Sequence, residues 1–407
     1  MLRLLHLSDI HFHPSPGSPR RDLDRGVRTD LLTDLRELGA AASNVDAILV
    51  VGDLAAKGKR EEFDMARAFL DEVCAIVGCP PTAIGTVPGN HDIDRGAHSQ
   101  IHDGLRRLLR TEPPQHVADR LEALLADPDA AALLHAPFAA YNEFAQPYGC
   151  AVTADEPLPA PWDLPLGACT VRVRGVNSAL VCDGTDSVDH DVTKVILGTG
   201  QLVPLSDDHD VITLLMCHHP TRWLRDAQQV APWLARPHVL LTGHEHEFGI
   251  SPDPKGLSLT IASGALNPEK TQPGWSPAYN IIDLDTDGED LAVSVRVRTY
   301  GRDRAGFIAE PGRPDPDEYR VPIRRSSAPP ATDLNAALPR QQPVQSEERE
   351  MIFRIMTASP DAREAAARRV GLLAQDQRLA SEGDEGRLIA AMRQKHLVAD
   401  MYKEISR

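Results

Sequence analysis

The stretch Leu2-Arg3-Leu4-Leu5-His6-Leu7-Ser8-Asp9-Ile10-His11 contains the pattern that decides the fold. Its first six residues are mostly aliphatic and too few for an ordinary helix, so they predict a strand that is buried on both faces. The run ends in Asp9 and His11, whose side chains are of the type that binds divalent metal ions. A buried strand that leads into polar ligands at its carboxyl end is typical of open α/β sheets.

The same arrangement recurs four times further along the chain. Each time, a short aliphatic run is followed at once by polar side chains of the metal-binding type. The runs are Ala47–Val51 before Gly52-Asp53, 83–87 before Pro88-Gly89-Asn90-His91-Asp92, Val211–Met216 before Cys217-His218-His219-Pro220, and 239–241 before Thr242-Gly243-His244-Glu245-His246. Helical periodicity over 30–42 and 61–77 separates the first three runs. Alternating strands and helices predict layered α/β packing.

The remaining segments divide the chain into three predicted parts. Residues 1–300 form the catalytic domain, which includes a helix-rich insertion at about 101–148, a loop at 155–166, and strands at 171–176, 178–181, 257–262, 279–284 and 291–299. A turn is expected at 285–288. Residues 301–345 are expected to be a linker, because eight prolines between 311 and 343 oppose helix and ladder formation. Residues 346–407 regain helical periodicity and predict a C-terminal α-helical module.

Charge, hydropathy and cysteine content exclude several classes of function and location. The 407 residues carry a net charge of −16, and the first 300 carry −17, which opposes a general duplex-coating role. No run of 18 apolar residues and no signal-peptide pattern occurs, so we expect neither a membrane span nor secretion. The six cysteines are scattered without a CxxC pair and predict buried free thiols in a reducing compartment. We therefore expect a cytoplasmic protein.

The polar clusters together supply enough ligands for two metal ions. Two ions about 3.5–4 Å apart need roughly seven protein donors, one of them a bridging carboxylate, and leave room for a bridging hydroxide. The glycines beside the donors, Gly52, Gly89 and Gly243, permit tight turns with little crowding. The candidate donors are Asp9, His11, Asp53, Asn90, His218, His244 and His246.

In order and spacing, these five motifs resemble the calcineurin-like metallophosphoesterase family, over about residues 1–300. The resemblance implies a four-layer α/β sandwich with a dinuclear metal centre between its sheets. By motif, Asp9, His11 and His246 would bind the first ion; Asn90, His218 and His244 would bind the second; and Asp53 would bridge them. His91 would lie beside the scissile phosphate without binding metal, with Asp92 orienting it. Either His218 or His219 remains open as the ligand, with the first of the pair favoured by the family pattern.

The resemblance also implies a function. The motifs are similar to those of the cyclic-nucleotide and glycerophosphodiester phosphodiesterases and of the nuclease branch that includes Mre11 and SbcD. We therefore expect a phosphodiesterase that hydrolyses a nucleotide or nucleic acid through a metal-bridging hydroxide, with Mn²⁺ favoured over Fe²⁺, Zn²⁺, Ni²⁺ and Mg²⁺. A phosphoprotein phosphatase fits less well, because Asp53 is followed by Leu-Ala-Ala and His91 by Asp92.

Two alternatives remain. The chain could be a DNA or RNA nuclease subunit of a larger bacterial complex. It could also be a non-catalytic scaffold of the same fold that oligomerises, or binds a partner protein, through residues 346–407.

Overall fold

Two β-sheets packed face to face form the centre of the molecule, which we describe from a computed structural model. The structure describes residues 1–15, 18–22, 25–97, 99–183, 186, 195–202, 210–267, 276–301, 306–323, 343–374, 379 and 384–406. The strands are β1 (Leu2–Leu7), β2 (Pro14–Ser15), β3 (Ser18–Asp22), β4 (Ala47–Val51), β5 (Ile84–Val87), β6 (Trp162–Leu166), β7 (Cys169–Gly175), β8 (Val211–Met216), β9 (Val239–Thr242), β10 (Phe248–Pro252), β11 (Leu259–Ser263), β12 (Ala278–Asp287), β13 (Asp290–Gly301), β14 (Gly306–Ala309) and β15 (Asp317–Pro322). The helices are α1 (Arg25–Leu38), α2 (Arg60–Val77), α3 (Gln100–Thr111), α4 (Val117–Leu125), α5 (Pro128–His135), α6 (Ala139–Ala145), α7 (Ala227–Leu234), α8 (Ser346–Thr357), α9 (Pro360–Arg369), α10 (Asp384–Gln394) and α11 (Val398–Ile405).

The first sheet places the strand of the opening stretch near its centre. Its order is β14-β13-β12-β1-β4-β5, and β15 also pairs with β13. Strand β4 runs parallel to both β1 and β5, so the carboxyl ends of these three strands meet at one edge of the sheet. The predicted bounds of these three strands, β1, β4 and β5, are confirmed to within one residue.

The second sheet brings the last two polar clusters to the same side of the molecule. Its order is β10-β11-β9-β8-β7-β6, and β7, β8 and β9 are parallel. The segment Val211–Met216 forms β8 as predicted, and β9 extends the predicted 239–241 by one residue. The two sheets therefore present five loops, after β1, β4, β5, β8 and β9, to one crevice.

Helices cover the outer face of each sheet, which gives a four-layer α/β sandwich. Alternate residues of a strand point to opposite faces. In β1, Leu4 lies in the core between the sheets, whereas Leu5 packs in the core shared with α1 and α2. In β8, Leu214 faces the first sheet and Leu215 lies in the same core as α7. The predicted fold class is thus confirmed.

A helical insertion follows β5, as predicted for residues 101–148. Helices α3 to α6 occupy this part of the chain. Ser99 caps α3 by accepting a hydrogen bond from the amide of His102, and Asp127 caps α5 through the amides of Asp129 and Ala130. The insertion packs on the main core through Leu109, Leu121 and Leu134 among others.

Two local predictions in the middle of the chain were wrong. We expected 155–166 to be a loop, but its last five residues form β6, whose buried side chains alternate along the strand. The strand tolerates Pro165 because β6 lies at the edge of its sheet. We also expected a strand over 178–181. Instead the chain turns there, with the amide of Ala179 donating to Asn177 Oδ1 at 2.9 Å.

The proline-rich segment contains more ladder structure than predicted. Residues 301–345 include β14 and β15, both antiparallel to β13. Both strands pair on the outer side of β13. Pro322 is the last residue of β15, so its missing amide costs the sheet little hydrogen bonding. Residues 324–342 of the expected linker lie outside the described residues. The division into domains stays a prediction.

Four helices follow, and they pack on their own chain. Helices α8 to α11 share a small core around Ile355, Met392 and Met401. Arg349 of α8 is buried and donates to the carbonyl oxygens of Thr82 at 3.0 Å and Ile84 at 2.8 Å. Its guanidinium also lies 4.2 Å from the ring centroid of Trp162. These contacts join the helices to β5 and β6; association with another chain through them stays a prediction.

The structure bears on two further expectations. Among the described residues, no helix has both the length and the apolar character that crossing a bilayer requires. All six cysteines are free thiols, and five of them are buried, while Cys169 is half-buried. The predicted pattern of free thiols is therefore confirmed.

Candidate metal centre

The seven predicted donors converge in the crevice between the two sheets. The loops that carry them are tied together by main-chain hydrogen bonds. The amide of Asp9 donates to the carbonyl of Gly52 at 3.1 Å, and the amide of Gly243 donates to the carbonyl of His218 at 3.0 Å. These bonds join the loop after β1 to the loop after β4, and the loop after β8 to the loop after β9.

Asp9, His11 and His246 form one group. Their ligand atoms all lie within 4.8 Å of one another. The Oδ1 atom of Asp9 lies 3.5 Å from His246 Nε2 and 3.9 Å from His11 Nε2, and no hydrogen-bond partner is found for it among the described residues. A buried carboxylate oxygen at such distances from two imidazole nitrogens leaves space between them for an ion.

Asn90, His218 and His244 form a second group. The Oδ1 atom of Asn90 lies 3.3 Å from His218 Nε2 and 3.1 Å from His244 Nδ1. All three residues are buried. One oxygen and two imidazole nitrogens thus meet at buried positions, and a cation could bind between them.

Asp53 lies between the two groups. Its Oδ2 atom is 3.3 Å from His218 Nε2. Its carboxylate also forms one cluster with Asp9 and His218, and another with His11 and His91. This is the position that a bridging ligand requires.

The chemistry of these atoms fits a cation. The Nδ1 atom of His218 lies 2.7 Å from the carbonyl oxygen of Val51, which can only accept, so Nδ1 carries the proton. The other nitrogen of a neutral His218 then points its lone pair toward the oxygens of Asp53 and Asn90. Three electron pairs that face one another are stable only with a positive charge between them, either a proton or a metal ion.

The backbone at the site adopts an unusual conformation. Among the described residues, seven that are not glycine have positive φ, and five of these are predicted ligands. These five have φ values between 50° and 70° and are Asp9, His11, Asp53, His244 and His246. A left-handed conformation costs an L-residue roughly 1–2 kcal/mol. Such strain persists where the surrounding structure imposes it, as it does at binding sites.

Glycines give the ligands their space. Gly52 has φ of 82°, and a Cβ atom there would lie 2.4 Å from His218 Nδ1. At Gly89, a Cβ would lie 2.2 Å from Asp53 Oδ1. Any larger residue at either position must therefore displace a ligand, as the sequence suggested.

Ligand atoms of His218, His219 and His244 lie within 4.8 Å of one another, and the two histidines of the pair differ in their other contacts. The Nδ1 atom of His219 lies 2.8 Å from the hydroxyl oxygen of Ser178, and its Nε2 lies 4.0 Å from Cys182 Sγ. The ring of His219 lies beside that of His244, with centroids 4.4 Å apart and planes inclined at 54°. Since both nitrogens of His219 face other partners, we keep the prediction that His218 is the ligand.

Burial and charge oppose each other at these groups. Burial alone would lower the pKa of His218, but the charge of Asp53 and its hydrogen bond raise that pKa to about 9. Burial also disfavours the ionised form of Asp53, yet the charges of His218 and His91 hold the pKa of Asp53 well below its ordinary value. Burial lowers the pKa of His244 to about 3. Without an ion, a proton on His218 Nε2 would meet the charge of Asp53, and a bound cation would take the place of that proton; His244 is already a neutral donor.

His91 lies at the mouth of the crevice, half-exposed beside the ring of His11 at a centroid distance of 4.8 Å. We expected Asp92 to orient it. Instead, both carboxylate oxygens of Asp92 accept main-chain hydrogen bonds, from Ala55 at 2.8 Å and from Gly89 at 2.9 Å. The Nδ1 atom of His91 lies 3.0 Å from the carbonyl oxygen of Ala56. Asp92 therefore acts on His91 only through the loop it holds, because its short side chain is buried beneath the backbone.

Three contributors were not singled out from the sequence. The hydroxyl oxygen of Ser8 lies 2.5 Å from Asp9 Oδ2. The indole of Trp223 meets the His244 ring edge-on, with ring centroids 4.2 Å apart, and donates to Glu245 Oε1 at 2.7 Å. The carbonyl of Asp186 accepts from the side-chain amide of Asn90 at 2.9 Å. Only Ser8 had a signal in the sequence, its place beside Asp9.

Comparison with known proteins agrees with the site. The sequence profile of the family described as calcineurin-like phosphoesterase matches residues 2–248. A curated protein from Bacillus subtilis (strain 168), the uncharacterised metallophosphoesterase-like protein YydB, is 28% identical over 121 residues. That match spans 30% of this chain and 23% of YydB, so the chain matches less than a quarter of its relative's length.

The matches to solved structures have low sequence identity and low TM-scores. Vps29 from Chaetomium thermophilum is 11% identical, with 79% of this chain and 99% of that chain covered and a TM-score of 0.32. A protein from Staphylococcus aureus named as a 5′-nucleotidase, solved in complex with alpha-ketoglutarate, is 12% identical. That match covers 82% of this chain and 56% of the Staphylococcus aureus chain, with a TM-score of 0.35.

Proposed function

The chain belongs to the calcineurin-like phosphoesterase family, and from that premise we propose that it is a metal-dependent phosphodiesterase that hydrolyses a nucleotide or nucleic-acid diester. Its centre would hold two divalent ions, Mn²⁺ by preference. Asp9, His11 and His246 would bind one ion. Asn90, His218 and His244 would bind the other, and Asp53 would bridge them.

One observation carries the proposal. The Asp and His donors lie in overlapping groups whose ligand atoms are within 4.8 Å of one another, Asn90 Oδ1 lies beside two of these histidines, and Asp9 Oδ1 has no hydrogen-bond partner among the described residues. Family membership adds that such clusters bind divalent metals. Ions bound there would neutralise the charge of a phosphate and lower the pKa of water toward neutrality.

The protein's own groups then have distinct tasks. His91 is half-exposed, and because its Nδ1 faces the carbonyl of Ala56, its Nε2 is the nitrogen left for substrate. A protonated imidazole in that position can donate to the leaving oxygen of a diester. The amide of His91 donates to Asp53 Oδ1, which keeps the imidazole beside the bridging carboxylate. Asp92 holds the loop that carries His91 through its hydrogen bonds with the amides of Ala55 and Gly89.

The charge of the chain supports a small or single-stranded substrate. The first 300 residues carry −17, which repels a long duplex even where the crevice itself is neutralised by ions. A mononucleotide diester presents one phosphate and needs no extended basic surface.

The test combines metal content with turnover. We expect the Mn²⁺-loaded protein to contain two ions per chain and to hydrolyse bis(p-nitrophenyl) phosphate, with activity lost in chelator. His91→Ala should keep both ions, but its turnover of this substrate should fall about a hundredfold or more. His116→Ala, an exposed histidine outside the crevice, is the matched control and should behave as wild type.

Either of two results contradicts the proposal. One is an empty site in the manganese-loaded protein, seen by elemental analysis. The other is near-wild-type turnover by His91→Ala. A panel of cyclic nucleotides, single- and double-stranded DNA and RNA then ranks the substrates.

A further inference from the structure

Two arginines of the helical insertion hold the chain that follows β7. Arg106 on α3 donates to the carbonyl of Cys182 at 3.2 Å and to Asp183 Oδ2 at 3.0 Å. Arg110, one turn further along α3, donates to the carbonyl of Val181 at 2.8 Å and also pairs with Asp183. The insertion is thus attached to residues 181–183 through charged hydrogen bonds, which are the stronger kind.

Arg110 also fixes the neighbouring Asp186. The Nη2 atom of Arg110 lies 2.8 Å from Asp186 Oδ1 and 3.2 Å from Oδ2. The side chain of Asp186 is fully buried, and the amide of Asp183 donates to it as well. A buried carboxylate that is held by a guanidinium and an amide has little freedom, so the backbone of Asp186 is fixed with it.

That backbone meets a predicted ligand. The side-chain nitrogen of Asn90 donates to the carbonyl oxygen of Asp186 at 2.9 Å. A carbonyl can only accept, so it selects the amide rotamer whose NH₂ group faces Asp186. The Oδ1 atom of Asn90 then faces His218 and His244. The opposite rotamer would present NH₂ to the ion, and an amide NH₂ has no lone pair for a metal.

We propose that Arg110 is a positioning residue for metal binding. Through Asp186 it keeps the Asn90 amide in the orientation that can bind the second ion. This inference rests on the proposed dinuclear function. It gives the helical insertion a part in the metal centre, although none of its side chains is among the predicted ligands.

The test measures the two metal sites separately in the full chain. Calorimetric titration with Mn²⁺ should show two binding events in the wild type. In Arg110→Ala, the first should keep its Kd, while the second should weaken about tenfold or more, as when a group that orients a ligand is removed. Excess Mn²⁺ should restore turnover in that variant, which misfolding would not allow.

A second variant guards against loss of folding. Asp186→Asn retains the carbonyl and the shape of the side chain but loses the charge that Arg110 holds. It should weaken the second ion in the same direction, by less. Arg107→Ala removes an exposed arginine of the same helix and should leave both Kd values unchanged.

The outcomes separate the two proposals. Wild-type affinity for both ions in Arg110→Ala and Asp186→Asn overturns the positioning role, as does an equal weakening of both sites. A wild-type protein that binds fewer than two ions overturns the dinuclear function itself, and this inference with it.

Discussion

Oδ1 of Asp53 accepts a hydrogen bond of 2.7 Å from the main-chain amide of His91. Asp53, the predicted bridging ligand, and His91, the predicted proton donor, are therefore joined directly. The hydrogen bond needs an accepting oxygen at residue 53, but that oxygen need not be charged. Substitution of Asp53 can consequently separate the electrostatic role of this residue from its role in placing His91.

Asp53→Asn should retain the fold and the position of His91 but lose activity. The new side chain still has an oxygen that accepts from the amide, yet it lacks the charge that holds cations. We expect turnover of bis(p-nitrophenyl) phosphate to fall about a hundredfold or more, together with metal content. Asp119→Asn, on the exposed side of α4, is the control. A variant that keeps both ions and full turnover would remove Asp53 from the centre.

Gly89→Ala should impair the metal centre without a general loss of folding. Its Cβ would lie 2.2 Å from Asp53 Oδ1, so the carboxylate must move. We expect metal affinity to fall at least about tenfold, since ligand geometry sets affinity. Gly249→Ala is matched chemically, but nothing lies within 4 Å of its Cβ. Equal affinities in the two variants, measured by titration with Mn²⁺, would show that the close approach has no consequence.

His6 should make the folded protein sensitive to acid. It is fully buried in β1, and this burial lowers its pKa from 6.5 to about 3. Between pH 6.5 and pH 3, His6 therefore binds a proton in the unfolded chain but not in the folded chain. The free energy of unfolding thus falls as the pH falls from 6.5 toward 3. At pH 5 the loss is about 2 kcal/mol.

Urea unfolding in chelator at pH 7 and pH 5 measures this effect. In His6→Gln the difference in unfolding free energy between the two pH values should shrink by about 2 kcal/mol. His116→Gln, with an exposed side chain, should leave it as in the wild type. An unchanged difference in His6→Gln would mean that other groups take up the proton.

Arg349 should be a main attachment of the C-terminal helices. Arg349→Ala leaves the carbonyls of Thr82 and Ile84 without their donor and removes the contact with Trp162, so the free energy of unfolding should fall by about 3 kcal/mol. Arg354→Ala, which breaks only an exposed pair with Glu350 on the same helix, should cost no more than about 0.5 kcal/mol. Similar losses in the two variants, by urea denaturation, would refute this role.

The sequence predicted the part of the molecule that depends on local pattern. Runs such as Val211–Met216 are strands because all but one of their side chains are apolar, and the donors follow each run directly. Parallel strands bring their carboxyl ends to one edge, so residues as distant as Asp9 and His246 could be expected together. Strand β6 was missed because the prolines of 155–166 suggested a loop, and an edge strand tolerates Pro165, the one that lies within it.

What escaped prediction depends on contacts between distant segments. Arg110 and Asp186 carry no motif, and their link to Asn90 exists only because the insertion folds over the loop after β7. The contacts of Asp92 could not be predicted for a similar reason, since its partners are main-chain amides that a sequence does not reveal. The contacts that distinguish His218 from His219 are of the same kind, since the carbonyl of Val51 lies against the former and the hydroxyl of Ser178 against the latter.

The left-handed backbone at five of the seven donors has a consequence for metal exchange. The chain accepts that conformational cost when it folds, so little remains to be rearranged when an ion arrives. Replacement of one divalent metal by another should accordingly be governed by hydration and ligand preference, with the polypeptide nearly stationary. Crystals of the chelated protein should then take up manganese by soaking without cracking.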